Sequence, residues 1–76
     1  MDREKIENKI KELNSFRARY HRDFKEIEVK YNDRIISEKD YENHKRKHEL
    51  KMDKIRDKIR QLEEKFEDMK KDLEVL

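Results

Sequence analysis

Apolar residues are sparse along this chain but regularly spaced. With Ile10 at position a of a heptad, the a positions hold Ile10, Phe24, Tyr31, Met52, Ile59, Phe66 and Leu73. The d positions hold Ile6, Leu13, Tyr20, Ile27, Tyr41, Ile55, Leu62, Met69 and Leu76. These are 16 of the 24 apolar residues, gathered on 22 of the 76 positions, where an even spread would place about 7. A 3.5-residue period predicts helices that pack along a narrow apolar seam, in the manner of a coiled coil. The positions between are filled by Lys, Glu and Arg, which are good helix formers.

The seam fails once. Between Tyr31 and Met52 its positions carry Arg34, Glu38, Lys45 and His48, so about two heptads lack an ordinary core. Inside this gap Ser37 is placed to cap a new helix, its hydroxyl accepting from the amide three residues on, where Asp40 stands and can reach back. Ile36 before the cap and Tyr41 four residues after it form the matching hydrophobic staple. Asn32 and Asp33 suit the end of the preceding helix, since both tolerate left-handed or turn geometry.

Two all-α architectures follow. In the favoured one, a helix over about 2–31, a turn over about 32–37 and a second helix over about 38–76 make one domain, an antiparallel two-helix coiled-coil hairpin. In the alternative the whole chain is one continuous helix in a parallel coiled coil, because the heptad phase is the same on both sides of the gap. The continuous helix would leave Ile35 and Ile36 on its outer face. Folding the chain about residue 36 sets Tyr31 against Tyr41, Phe24 near His48, Tyr20 near Met52, Leu13 near Ile59, Ile10 near Leu62 and Ile6 near Phe66. The second helix then overhangs the first at Met69, Leu73 and Leu76. Two bare helices have a thin core, so the hairpin is expected to homo-oligomerise, most simply as a two-fold dimer forming a four-helix bundle. Phe16, one turn from Leu13 and Tyr20, is placed to supply the intersubunit contact.

The segment Asn32-Asp33-Arg34-Ile35-Ile36-Ser37-Glu38-Lys39-Asp40-Tyr41-Glu42, followed by Lys45, resembles the turn of short helical hairpin modules of the SHOCT kind, Gly-x-Ile-Ser/Thr-x-x-Glu-Phe/Tyr-Glu-x-x-Lys. It spans about a sixth of the chain. Arg34 stands where that pattern has glycine, and Asp40 where it has glutamate. The resemblance implies oligomerisation and protein contacts, and no catalysis.

Composition removes most other functions. The chain has no Gly, Pro, Cys or Trp. Without glycine there is no phosphate-cradling loop, dinucleotide fingerprint or strained nucleophile turn. Without cysteine there is no disulfide, thiolate metal site or cysteine nucleophile. No apolar run exceeds two residues, as at Ile35-Ile36, against the roughly 20 needed to span a bilayer. The opening MDREKIENK has no apolar core and does not read as a signal peptide, so a cytoplasmic protein is expected. Charge nearly cancels, 22 Lys+Arg against 20 Asp+Glu for a net of +2, and sets no uniform field for an acidic or basic partner.

Three patterns carry sharper chemistry. His44 and His48 are one helical turn apart, a spacing by which two imidazoles share a metal ion, and the fold would bring His21 near them. The surrounding Lys45, Arg46 and Lys47 disfavour a cation, so no metal and no cofactor is expected. The stretch Phe16-Arg17-Ala18-Arg19-Tyr20-His21-Arg22 is basic and interleaved with aromatics, and the hairpin lays it beside Lys45, Arg46 and Lys47. Basic residues near 17–25 and 44–51 are what a nucleic-acid-associated protein would use. Asp23, Glu26 and Glu49 dilute that field, and Glu63 to Glu74 carries six acids against three lysines. A solvated charged face, or end-to-end contact between basic and acidic regions, is the plainer reading. Finally, Arg17 falls on the seam itself, where a buried guanidinium either pairs with Glu or Asp across the interface and fixes register or serves as a docking point for an acidic ligand.

Nothing supports catalysis. Carboxylates are so common that no pair is informative, and Ser37 is used as a cap. The sequence therefore reads as a non-enzymatic oligomerisation or protein-interaction module acting through Ile6, Ile10, Leu13, Phe16, Tyr20, Phe24, Ile27, Met52, Ile55, Ile59, Leu62, Phe66, Met69 and Leu73. Seam-driven association should survive high salt, whereas nucleic-acid binding should not.

Overall fold

The computed structural model describes residues 2–75 of the backbone and the side chains of residues 2–71. Two helices, α1 (Arg3–Asn32) and α2 (Glu38–Val75), pack side by side as an antiparallel hairpin. The molecule measures 61 × 16 × 14 Å. At 1.5 Å per residue α2 alone spans about 57 Å, and the whole chain as one helix would span about 114 Å, so the long axis is that of the hairpin.

Local chemistry sets the helix ends. The Asp2 carboxylate accepts from the Lys5 amide at 2.9 Å and caps α1. At the other end the Arg34 amide donates to the Tyr31 carbonyl at 3.0 Å, and the Ile35 amide donates to the Lys30 carbonyl at 2.8 Å. This pair of bonds is the Schellman closure, which requires a left-handed residue just past the helix. Arg34 takes that role, with φ at 59°. The left-handed position thus falls on neither Asn32 nor Asp33 but one residue later, where the resembling turn pattern has glycine. The closing bonds count back from the last helical turn, and α1 runs on to Asn32.

Ser37 begins α2 as its sequence predicts. Its hydroxyl accepts from the Asp40 amide at 3.1 Å, and its carbonyl from the Tyr41 amide at 2.9 Å. The return bond from the Asp40 carboxylate does not form; aspartate is one methylene shorter than the glutamate that usually makes it. Ile36 and Tyr41, the expected staple, are both half-buried, while Ile35 is 67% exposed.

The two halves of the hairpin are filled differently. The open half holds the aliphatic core of Ile6, Leu13, Ile55, Ile59 and Leu62, with Ile10, Phe16, Tyr20, Phe66 and Met69 packed around it. The turn half contains no fully buried side chain and is filled by rings instead. Tyr31 and Tyr41 stack at 4.3 Å, Tyr41 lies 5.9 Å from Phe24, Phe24 stacks on His48 at 4.5 Å, and His48 lies 5.4 Å from His21. The rings alternate between α1 and α2 and fix the register: Tyr31 faces Tyr41 and Phe24 faces His48. Ile27 and Met52 are half-buried beside them.

Arg17 is not on the buried seam. It is exposed, and Phe16 occupies the half-buried place beside Leu13 and Tyr20. Steps of three then four residues reach Tyr20 from Leu13 as well as four then three, so the seam can use either residue. Burying a ring is favourable, whereas burying a guanidinium costs several kcal/mol. Lys45 is likewise exposed. The side chains of Leu73 and Leu76, expected to extend the seam, lie outside the described residues. Among the described residues no helix is long and apolar enough to cross a membrane.

Candidate interaction surfaces

The histidine pattern is only partly assembled. Packing of α1 on α2 brings His21 to His48, and His48 lines a groove that His44 also borders. Among the described residues no group of three or more His, Cys, Asp or Glu side chains converges to hold a metal ion. His48 is instead an element of the ring ladder. Burial in that ladder, then the neighbouring His21 and Lys51, push its imidazole below the ordinary value of 6.5, against the opposing pull of Glu49 and Glu28.

The basic candidates Arg17, Arg19, Arg22, Lys45, Arg46 and Lys47 are all exposed. Arg19 lies over the Phe16 ring at 5.7 Å, Arg46 donates to the Asn43 side-chain oxygen at 3.3 Å, and only Lys47 lines the turn-half groove, which it shares with Asp23 and Glu26.

Two further grooves run along the open half, where α1 meets α2. One has Ile10 and Phe66 in its floor and is rimmed by Glu7, Glu63, Glu64, Glu67 and Asp68, with Arg60 and Lys71 as its basic members. The other has Leu13 and Leu62 in its floor and is rimmed by Lys5, Lys9, Lys58 and Lys65, with Gln61. At about 100° per residue, Glu7 and Lys9 fall on opposite flanks of the seam on α1, and Glu63 and Lys65 do so on α2. The two grooves therefore lie on opposite sides of the hairpin, one acidic and one basic.

Among the described residues no ion pair crosses between the helices. The four pairs found among the described residues, Arg3–Glu7, Lys9–Glu12, Arg56–Asp53 and Arg60–Asp57, each join residues three or four apart on one helix. Such exposed pairs contribute a few tenths of a kcal/mol.

These charged flanks are what a reading of the seam alone passes over. Their signal is present in the sequence: Lys51, Lys58 and Lys65 recur every seven residues on one flank of α2, and Glu42, Glu49 and Glu63 fall on the other. The chain matches no protein-family model, no curated protein and no solved structure.

Proposed function

We propose that the protein is a non-enzymatic association module, a helical hairpin that oligomerises, or docks another helical protein, through the exposed shoulders of its apolar seam. The observation that carries this reading is the thinness of the core. Among the described residues five side chains are buried, and the large apolar groups Ile10, Phe16, Tyr20, Phe66 and Met69 are covered only in part. Single hairpins of this size are marginal, and a second layer of helices is the usual way to complete them. The turn resemblance to short oligomerising hairpins points the same way, and the chain offers neither a glycine-rich loop nor a cysteine nucleophile.

Sedimentation equilibrium tests it. The chain weighs 9.7 kDa, and a mass that rises above this value with concentration supports association. A mass that stays at the single-chain value at every concentration and salt would overturn self-association and leave only docking of another helical protein.

A further inference from the structure

The open half of the hairpin sets like charges against like. Antiparallel packing places Lys5 and Lys9 of α1 and Lys58 and Lys65 of α2 around one groove. On the opposite side it places Glu7 of α1 with Glu63 and Glu67 of α2. In paired helices the residues flanking the seam ordinarily bond across it and choose the partner. Here no such bond joins α1 to α2 among the described residues, and the pairs Arg3–Glu7 and Lys9–Glu12 stay within one helix. The lysine rim carries charge of one sign only, the opposite rim stays net negative although Arg60 and Lys71 border it, and the two are complementary.

We propose that a second copy of this chain seats its basic groove, floored by Leu13 and Leu62, on the acidic groove floored by Ile10 and Phe66. The two surfaces lie at the same level of the hairpin and on opposite sides, so association is heterologous. Each copy uses one groove and leaves the other free. Such contacts build an open stack or a ring rather than a closed pair. A two-fold dimer would instead bring a groove against its own kind, lysine rim to lysine rim or glutamate rim to glutamate rim, which electrostatic complementarity opposes. The apolar floors give both grooves something to bury, and the charges decide which surface meets which. This inference rests on the self-association reading above and adds its geometry.

Two double variants test it on the full chain, by sedimentation velocity from about 0.01 M to about 1 M salt, over which the Debye length falls from about 30 Å to about 3 Å. One is Glu63→Lys/Glu67→Lys and the other Lys58→Glu/Lys65→Glu. All four side chains are exposed, and helical circular dichroism confirms that each variant folds. The native chain should exceed twice its single-chain mass at low salt and associate measurably more weakly at high salt, where the apolar floors alone hold the copies together. Each variant alone should associate at least roughly tenfold more weakly, and an equal mixture of the two should recover native association. The native salt response stands as a test even if a variant fails to fold. Weakening in only one variant would mean two-fold pairing through a single groove and would overturn the proposal. A dimer that persists at high salt, unchanged in both variants, would also overturn it while leaving the association reading intact. A single-chain mass throughout would remove the proposal and self-association alike. Retention of the unassociated native chain on duplex DNA at low salt would assign the basic groove to a polyanion and overturn it as well.

Discussion

The Phe24 ring of α1 lies face to face with the His48 ring of α2, with centroids 4.5 Å apart and planes 8° from parallel. This stack makes the turn half of the hairpin sensitive to acid. His48 titrates below 6.5 in the folded chain, because burial and its neighbour His21 disfavour the charged ring, whereas in the unfolded chain it titrates at about 6.5. As pH falls through that interval the unfolded state binds more protons than the folded state. Stability is therefore full above about 6.5, declines toward the lowered folded value, and levels off below it. His48→Phe keeps a ring in the ladder and removes the titration. Melting temperatures between about pH 7.5 and about pH 5 should fall more steeply for the native chain than for this variant. Parallel profiles would contradict the assignment.

Arg34 sits at φ 59° in the Schellman closure. A side chain with a Cβ costs about 1–2 kcal/mol in this region, and glycine none. Part of that gain is lost to the freer unfolded chain. Arg34→Gly should stabilise the hairpin by about 1 kcal/mol, a rise of roughly 4–8 °C in melting temperature for a domain of this size. A thermal melt that is unchanged or lower would show that the turn is held in some other conformation.

Ser37 supplies the one side-chain bond that starts α2. Ser37→Ala should cost about 1 kcal/mol, and Ser37→Asp, which can still accept from the same amide, should cost much less. Equal losses in the two variants, measured by denaturant titration, would remove the capping role.

Phe16 and Arg17 are adjacent in sequence and opposite in environment, one packed against the core and the other exposed. Phe16→Ala should destabilise by roughly 1–2 kcal/mol, less than a fully buried ring would cost. Arg17→Ala should stay within about 0.5 kcal/mol of native. The reverse order would restore arginine to the seam. Ile59→Asp, which puts an unpaired charge in the aliphatic core, should abolish most helicity and all association; unchanged circular dichroism would contradict the packing described.

The turn and the pairing of the helices were legible because each rests on a local and strongly typed signal. Ser37 followed by Asp40 and Tyr41 marks a helix start whatever surrounds it, and the apolar residues keep their spacing on both sides of the gap. From that register alone Tyr31 meets Tyr41 and Phe24 meets His48. Arg34 as the left-handed residue was not legible from propensity, which favours Asn32 and Asp33. The exchange of Arg17 for Phe16 was hidden because both satisfy the same period, and only the cost of burying charge separates them. The opposed rims were hidden for another reason: α2 alone shows its lysines on one flank and its glutamates on the other, but not that each meets like charges of α1. Their grouping appears only when α1 is laid against α2.

Under the proposed seating of one copy on another, that grouping should give hairpin stability and association opposite dependence on the same side chain. Lys65 borders the groove that also holds Lys5 and Lys9, so Lys65→Glu replaces a repulsion within the chain by an attraction. Measured well below the associating concentration, where mass action adds nothing to the native chain, this variant should melt higher at low salt, by roughly 0.2–1 kcal/mol. The gain should vanish near 1 M salt, where charges more than about 3 Å apart are screened. At high protein concentration the same substitution removes a lysine from the basic rim and should lower the associated mass. A variant that gained in both would mean that the lysine rim plays no part in meeting a second copy. One that lost in both would mean that Lys65 supports the hairpin through its methylene stem rather than opposing it through its charge.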